Sequence, residues 1–377
     1  MARTVSQDQQ NRRNAPVAII GAGPIGLELA ANFRRYGISY LHFEAGRMGE
    51  TIARWPAWTP FFSSPERVAI AGVPLQSVHQ NMLTGEEYLA YLRAVVEQYD
   101  LPILSEHRII GARTLEGGGF ELESDYRGRI SRWRVEKLIL AHGNMHEPRR
   151  LGIPGEDLEH VEHHYRDVHR FFRRDLLIVG GRNSAVEAAI RCYRAGARVT
   201  LMHRRGELDA RRLNSRYHLE ISILIDKGKI RFIPSAELVE IRRDSVAYRD
   251  PAADGHGSAG SGDSTGATRD LDADFVMLCL GFSKDTSLHT ALGIPLDEDG
   301  SPRLNESTME TPVPGLYLAG TAAGGTKDSY GIFVGTSHVH VERIIADICG
   351  EPAIVGDGGG RHYPFARRDI EPTEGKA

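Results

Sequence analysis

Cysteine is scarce: Cys192, Cys279 and Cys349 are the only three in a chain of 377 residues, and they stand far apart. No two form a CxxC pair, so the sequence encodes neither a disulfide-stapled scaffold nor a local dithiol, and the three read as small buried hydrophobes. Long apolar runs are missing too. A membrane span needs about 18 such residues, and the longest candidate, Ala15 to Phe33, is broken by Gly21, Gly23, Pro24, Gly26 and Glu28. Nor is there an excess of positive charge: 46 Lys and Arg face 50 Asp and Glu, for a formal charge of −4. Nucleic acid is therefore not the expected partner, because a field that concentrates phosphates requires clustered cations. The polar amino terminus has no apolar core of the secretory kind, so the expected location is the cytoplasm.

What is present reads as an α/β protein. With 41% hydrophobic and 25% charged residues, the chain is globular and longer than one hydrophobic core usually organises, which predicts two domains. Met1 to Asn14 has no periodicity and is expected to be disordered, with order starting at Val17. Val17 to Ile20 reads as a strand, Ile25 to Tyr36 as a helix closed at Gly37, and Tyr40 to Phe43 as a second strand ending at Glu44, which together make a βαβ unit. Thr84 with Glu87 forms a capping box ahead of a helix to about Gln98. Short β-like segments around Ile109, Phe120 and Trp133 precede a strand from Leu138 to Ala141, where the first domain can close. The charged stretch His142 to Arg174 reads as a crossing segment. A second βαβ unit follows: Leu176 to Val179, Asn183 to Ala195 capped by Gly196, then Val199 to Met202. Asp250 to Asp270 is rich in Gly and Ser and is expected to be a flexible loop. Phe275 to Leu280 and Gly315 to Ala319 read as buried strands, Phe333 to Cys349 as a closing helix capped by Gly350, and the tail beyond Pro352 as loose.

Each βαβ unit carries a glycine-rich turn. Gly21-Ala22-Gly23-Pro24-Ile25-Gly26 matches G-x-G-x-x-G directly between strand and helix, the setting in which backbone amides and a helix amino terminus receive a pyrophosphate. Glu44 lies where a carboxylate accepts hydrogen bonds from ribose hydroxyls. The second turn, Gly180-Gly181-Arg182-Asn183-Ser184-Ala185, has Arg182 in place of the middle glycine, which either blocks a pyrophosphate or pairs with it. Beyond the paired strand stand His203, Arg204 and Arg205 instead of an acid. Guanidinium groups there suit a 2′-phosphate, which points to NADPH, unless they merely solvate a strand end. Two dinucleotide turns in one chain imply hydride transfer between a nicotinamide and a flavin. The histidines at His142, His163, His164, His169, His338 and His340 fit no metal-ligand spacing, and no metal is expected.

The segments GAGPIGL at Gly21 to Leu27, WPAWTPFFSSPERVAIAGVP at Trp55 to Pro74, IVGGRNSAVEAA at Ile178 to Ala189 and GLYLAGTAAGG at Gly315 to Gly325 resemble the two-dinucleotide-binding-domain flavoproteins. More narrowly, they resemble the YpdA-like bacillithiol-disulfide reductase family. The resemblance implies two Rossmann-like domains, with an NADPH domain (150–290) inserted in a discontinuous FAD domain (16–145 and 300–350), a disordered amino terminus (1–15) and a tail (351–377). It places FAD on Gly21 to Gly26, Glu44, Ala45, Ala141, Gly143, Gly320, Thr321, Gly331, Ile332 and Phe333. NADPH falls to Gly180 to Ser184, His203 to Arg205 and Gly281. Trp55, Phe61, Phe62, Ser63 and Ser64 are the implied flavin face, with Lys327 and Tyr330 near it; a hydrophobic plug under a long loop is the competing reading. Two departures stand out. Thr321 falls where many members have Asp, and Ile25 falls where members proposed to handle a thiol disulfide carry a cysteine. The implied activity is transfer of hydride from NADPH to FAD and on to a small acceptor, such as a low-molecular-weight disulfide, without a CxxC dithiol. A ferredoxin- or quinone-reductase-like diaphorase, a flavin monooxygenase and a non-enzymatic nucleotide-responsive protein stay open, as does the oligomeric state, homo-oligomer included.

Overall fold

The structure is a computed structural model that describes residues 14–78, 80–163, 167–250, 267–298, 300–324 and 332–356. The chain divides into two compact units, one formed by Met1–Glu147 with Ser283–Ala377 and the other by Pro148–Phe282. The inserted unit therefore ends earlier than position 290, and residues 283–299 belong with the first unit.

In the first unit the sheet runs Tyr40–Phe43, Asn14–Ile20, Arg129–Leu140, Phe120–Tyr126 and His107–Thr114, with Leu316–Leu318 added beside Arg129–Leu140. The first strand begins at Asn14, ahead of Val17, because Asn14 and Ala15 pair with Arg134 and Val135. Arg129–Leu140 is one strand of 12 residues, whereas the sequence suggests two separate pieces. Residues 131–136 alternate in burial, and the strand forms an antiparallel hairpin with Phe120–Tyr126. Its last three residues are wholly buried and pair in parallel with Leu316–Leu318. A strand that is polar-alternating at one end and continuously apolar at the other reads as two because its two halves face different neighbours.

Against this sheet pack the helix Pro24–Arg35, with Leu27, Leu29, Ala30 and Phe33 fully buried, the helix Gly85–Tyr99, opened by the expected Thr84–Glu87 box, and the helix Val334–Cys349, closed by Gly350 at φ +69°. The tail is not loose at its start. Asn32 donates from Nδ2 to the Ile354 carbonyl at 2.9 Å and accepts from the Ile354 amide at 2.8 Å, and the Tyr36 hydroxyl donates to the Pro352 carbonyl.

The second unit has a parallel sheet in the order Arg231–Ile233, Arg198–Met202, Asp175–Val179, Phe275–Leu278, Val161–Glu162. Its central strand is buried on both faces: Leu176 and Ile178 join the core under the helix Asn183–Arg194, while Leu177 and Val179 join the core beneath an antiparallel layer. That layer is Glu237–Ile241, Ser245–Asp250 and Ala267–Asp272. Two expectations are corrected. Asp250 and 267–270 are paired strand rather than loop, since ladder hydrogen bonds order them without apolar spacing, and 251–266 lie outside the described residues. The crossing segment contributes a strand, because Val161 and Glu162 pair with Val276 and Met277. Among the described residues, no helix is long and apolar enough to cross a membrane.

Candidate active site

The first glycine turn is built by three different constraints. Gly21 sits at φ +108°, and a Cβ there would fall 2.5 Å from the Ala141 carbonyl oxygen. A Cβ on Gly26 would fall 1.9 Å from the carbonyl oxygen of Gly21, so helix and strand touch only because both residues are glycine. Around Gly23 nothing lies within 4 Å of a Cβ position. The turn is thus closed behind and open in front, with Pro24 starting the helix, and this is the cradle a pyrophosphate requires. His42, fully buried, places Nε2 2.9 Å from the Gly21 carbonyl oxygen and braces the turn from below; burial holds its pKa down at about 4, so the neutral ring donates there.

Glu44 accepts from the Ala22 amide through Oε2 and from the Gly46 amide through Oε1, both at 2.8 Å. Burial nevertheless raises its pKa. The carboxylate is held against the turn with lone pairs to spare for hydroxyl donors. Ala45 follows on the same loop. Opposite, Ala141 and Gly143, the latter at φ +80°, adjoin the 3₁₀ turn Gly320–Ala323. A Cβ on Gly143 would lie 3.6 Å from Thr321 Oγ1, and one on Gly320 would lie 3.4 Å from Ile25. Ile25 is therefore a buried apolar wall at the place of the missing cysteine. Gly320 donates its amide to His340 Nδ1 at 3.1 Å. His340, held neutral by burial and Arg343 at a pKa of about 4, is a supporting residue that sequence spacing did not assign to this turn. Ile332 and Phe333 lead into the last helix; Gly331, Tyr330, Lys327 and His164 lie outside the described residues.

The aromatic loop divides in two. Trp55 meets Phe61 in a tilted contact at 4.8 Å between ring centroids, and Phe61 meets Tyr88 edge to face at 4.6 Å; Phe61 is buried in the core and the partly buried Trp55 packs against it. Phe62 is 52% exposed, with half-buried Ser63 and Ser64 beside it. Trp58 is 70% exposed at a left-handed φ of 62°, an exposed aromatic that the sequence reading did not single out.

In the second turn Gly180 is at φ +152°, with a Cβ position 2.6 Å from the Cys279 carbonyl oxygen. Gly181 makes room for His203, whose ring would lie 2.4 Å from a Cβ. Exposed Arg182 precedes Asn183, the first residue of the helix, with Ser184 exposed beyond it. Asn183 Oδ1 accepts the Asn214 amide at 2.8 Å. Burial, then Arg205 and Arg204, lower the pKa of His203, leaving the ring neutral. Arg204 and Arg205 are exposed, and their loop is fixed by the Ser235 amide donating to the Arg205 carbonyl at 3.0 Å. The nearby Arg211 and Arg212 lie beside Asp209, whereas no ion pair of Arg204 or Arg205 occurs among the described residues. Gly281 is at φ +87° with open space beside it.

Burial pushes the Cys192 and Cys279 thiols up to about 12 and raises that of Cys349, so none is an activated thiolate. Among the described histidines, His338 bonds Glu28, the His169 amide donates to Asp167, and His142 lies against His146 at 3.2 Å. Among the described residues no group of three or more His, Cys, Asp or Glu side chains has ligand geometry.

Two glycine cradles, each opening a βαβ unit, define a dinucleotide-dependent oxidoreductase. A family profile described as pyridine nucleotide-disulphide oxidoreductase matches residues 18–320, and the chain belongs to that family. It is 30% identical over 331 residues to the bacilliredoxin reductase Bdr of Bacillus subtilis (strain 168), spanning 88% of this chain and 96% of that one. It is 27% identical to a ferredoxin–NADP reductase of Ignicoccus hospitalis, spanning 80% and 88%. Among solved structures it is similar to the bacillithiol disulfide reductase Bdr (YpdA) from Bacillus cereus, with a TM-score of 0.81, 28% identity and coverage of 89% and 99%. The chain is an FAD-dependent NAD(P)H oxidoreductase with FAD and NADPH as cofactors. Its α/β fold is that of two Rossmann-like domains, one inserted in the other. Family membership favours an enzyme over the nucleotide-responsive binding protein.

Proposed function

We propose that this chain oxidises NADPH and reduces a low-molecular-weight thiol disulfide without using a protein dithiol. The carrying observation is the similarity to a bacillithiol disulfide reductase over 89% of this chain and 99% of that one. In this reading the first unit holds FAD: Gly21 to Gly26 take the pyrophosphate on backbone amides, Glu44 the ribose, and Ala141, Gly143, Gly320, Thr321, Ile332 and Phe333 the remainder. Phe62, Ser63 and Ser64 border the ring. The closed back and open front of the Gly21–Gly26 turn fit that group. The second unit holds NADPH, with Gly180, Gly181, Asn183, Ser184 and Gly281 along the chain of the dinucleotide and Arg204 and Arg205 on the 2′-phosphate. Arg182, at the mouth of that turn, pairs with the pyrophosphate.

Bound FAD supplies the two-electron carrier between NADPH and the acceptor. The residues position the two nucleotides, keep water from the ring and leave the acceptor to be reduced directly: NADPH + H⁺ + RSSR gives NADP⁺ + 2 RSH. Buried Ile25 and the raised thiol pKa values leave no cysteine to form a mixed disulfide with the acceptor. Three free thiols suit a reducing compartment, in line with a cytoplasmic location. The test is anaerobic reduction by NADPH followed by an acceptor screen of low-molecular-weight disulfides, quinones, ferredoxin and oxygen, run on the native chain and on a Cys192→Ser, Cys279→Ser, Cys349→Ser variant. Both should turn over a disulfide at similar rates. Turnover with ferredoxin or quinone and none with disulfides would move the assignment to the diaphorase reading that the Ignicoccus relative favours.

A further inference from the structure

Glu28 lies two residues beyond Gly26 and is 0% exposed, yet its carboxylate is fully engaged. Oε1 accepts from the amides of Ala71 and Gly356, each at 2.9 Å. Oε2 lies 2.7 Å from Nδ1 of His338 on the last helix. The other ring nitrogen, Nε2, is 3.2 Å from the carbonyl oxygen of Arg67. Both nitrogens thus face pure acceptors, and only the imidazolium, with a proton on each, satisfies both. The same contact brings the Arg67 backbone within 2.7 Å of a Cβ position on Gly335, while the Arg67 guanidinium covers the Phe333 ring at 5.8 Å.

Each of the three elements joined here carries or directly follows residues assigned above to FAD. The fingerprint helix begins at the Gly21–Gly26 cradle, the turn Pro65–Val68 follows directly on Ser63 and Ser64, and the last helix follows Ile332 and Phe333. We propose that Glu28 and His338 are positioning residues for the flavin site: the charged pair clamps the last helix and the Pro65–Val68 turn onto the fingerprint helix, and protonation of His338 sets how firmly FAD is retained. The inference rests on the reading that the first unit holds FAD.

The direction of the pH effect follows from the partners. Burial alone would lower the His338 pKa, but the charge and hydrogen bond of Glu28, then the Arg67 carbonyl and Glu342, raise it above 6.5. From the helix Gly85–Tyr99, Tyr88 and Tyr91 also face Glu28, and burial raises both phenols, so they stay neutral across the same range. The clamp is complete below pH 6.5 and is lost as pH rises through the folded-state pKa. The one remaining ring proton then stays toward the carboxylate, and the Arg67 contact is the one released.

The test is the rate of FAD release from the holoenzyme between pH 6 and 9, for wild type, His338→Gln and Glu28→Gln, with thermal midpoints alongside. Wild-type release should quicken in a single-proton step above pH 6.5. The His338→Gln protein should release FAD about tenfold faster at pH 6, the effect of losing one hydrogen bond to a charged group, and show no step. A second measurement needs no variant: by linkage, the His338 pKa read by histidine NMR should be higher with FAD than after its removal. A lowered thermal midpoint with an unchanged release profile, or a His338 pKa indifferent to FAD, would overturn the clamp. A chain that takes up no FAD at any pH would instead defeat the parent reading, and the proposal with it.

Discussion

At the scale of single residues, the proposed choice of NADPH rests on two side chains. Arg204 and Arg205 are exposed at the end of the strand Arg198–Met202, on a loop whose backbone is pinned to Ser235 and Ala236. Their neighbours Arg211 and Arg212 are occupied with Asp209. A hydrogen bond to a charged group is worth about 1.5 to 3 kcal/mol, so replacing both arginines by serine should raise the KM for NADPH by roughly one to two orders of magnitude. NADH has no 2′-phosphate, and its KM should stay within about a factor of two, since that contact is absent from the start. Steady-state kinetics with both nucleotides measure this. An equal loss for NADH and NADPH would place the arginines in folding or general steering instead.

At the scale of elements, the helix Gly85–Tyr99 supports the aromatic loop. Its Tyr88 hydroxyl donates to the Val68 carbonyl at 2.7 Å and its ring supports Phe61. The helix starts at a reciprocal cap, with the Glu87 amide donating to Thr84 Oγ1 at 3.3 Å and the Thr84 amide to Glu87 Oε2 at 2.7 Å. Thr84→Ala should destabilise the first unit by about 1 kcal/mol, seen as a lower denaturation midpoint with NADPH affinity unchanged. This element was legible because all its signals are local: a cap, its partner three residues on, and an apolar stripe. Both glycine turns and the Gly350 stop were legible for the same reason. What the sequence did not disclose was long-range. Glu28 meets Gly356 across 328 positions and His338 across 310, and no periodicity marks a buried carboxylate whose partners come from three other segments. The strand Arg129–Leu140 reads as two pieces in the sequence because its two halves change neighbours, and the loop aromatics give no sign of which side they face until Tyr88 packs beneath Phe61.

At the scale of the whole molecule, each unit has its own core. The first gathers Val17, Leu27, Phe33, Leu140 and Ile344, and the second has separate clusters on the two faces of its sheet. Each of these clusters of described residues lies within one unit. Ligand binding should therefore stabilise each unit by mass action on its own transition. At about 100 times its dissociation constant a ligand adds about 2.7 kcal/mol to the state that binds it. In differential scanning calorimetry, FAD should shift the transition of the first unit and NADP⁺ that of the second, each leaving the other in place. The His338→Gln chain should keep the NADP⁺ shift in full while its FAD shift shrinks, because the Glu28–His338 pair lies wholly within the first unit. A single transition moved equally by either nucleotide would mean that the units unfold together, and a transition of the second unit moved by FAD alone would reverse the cofactor assignment.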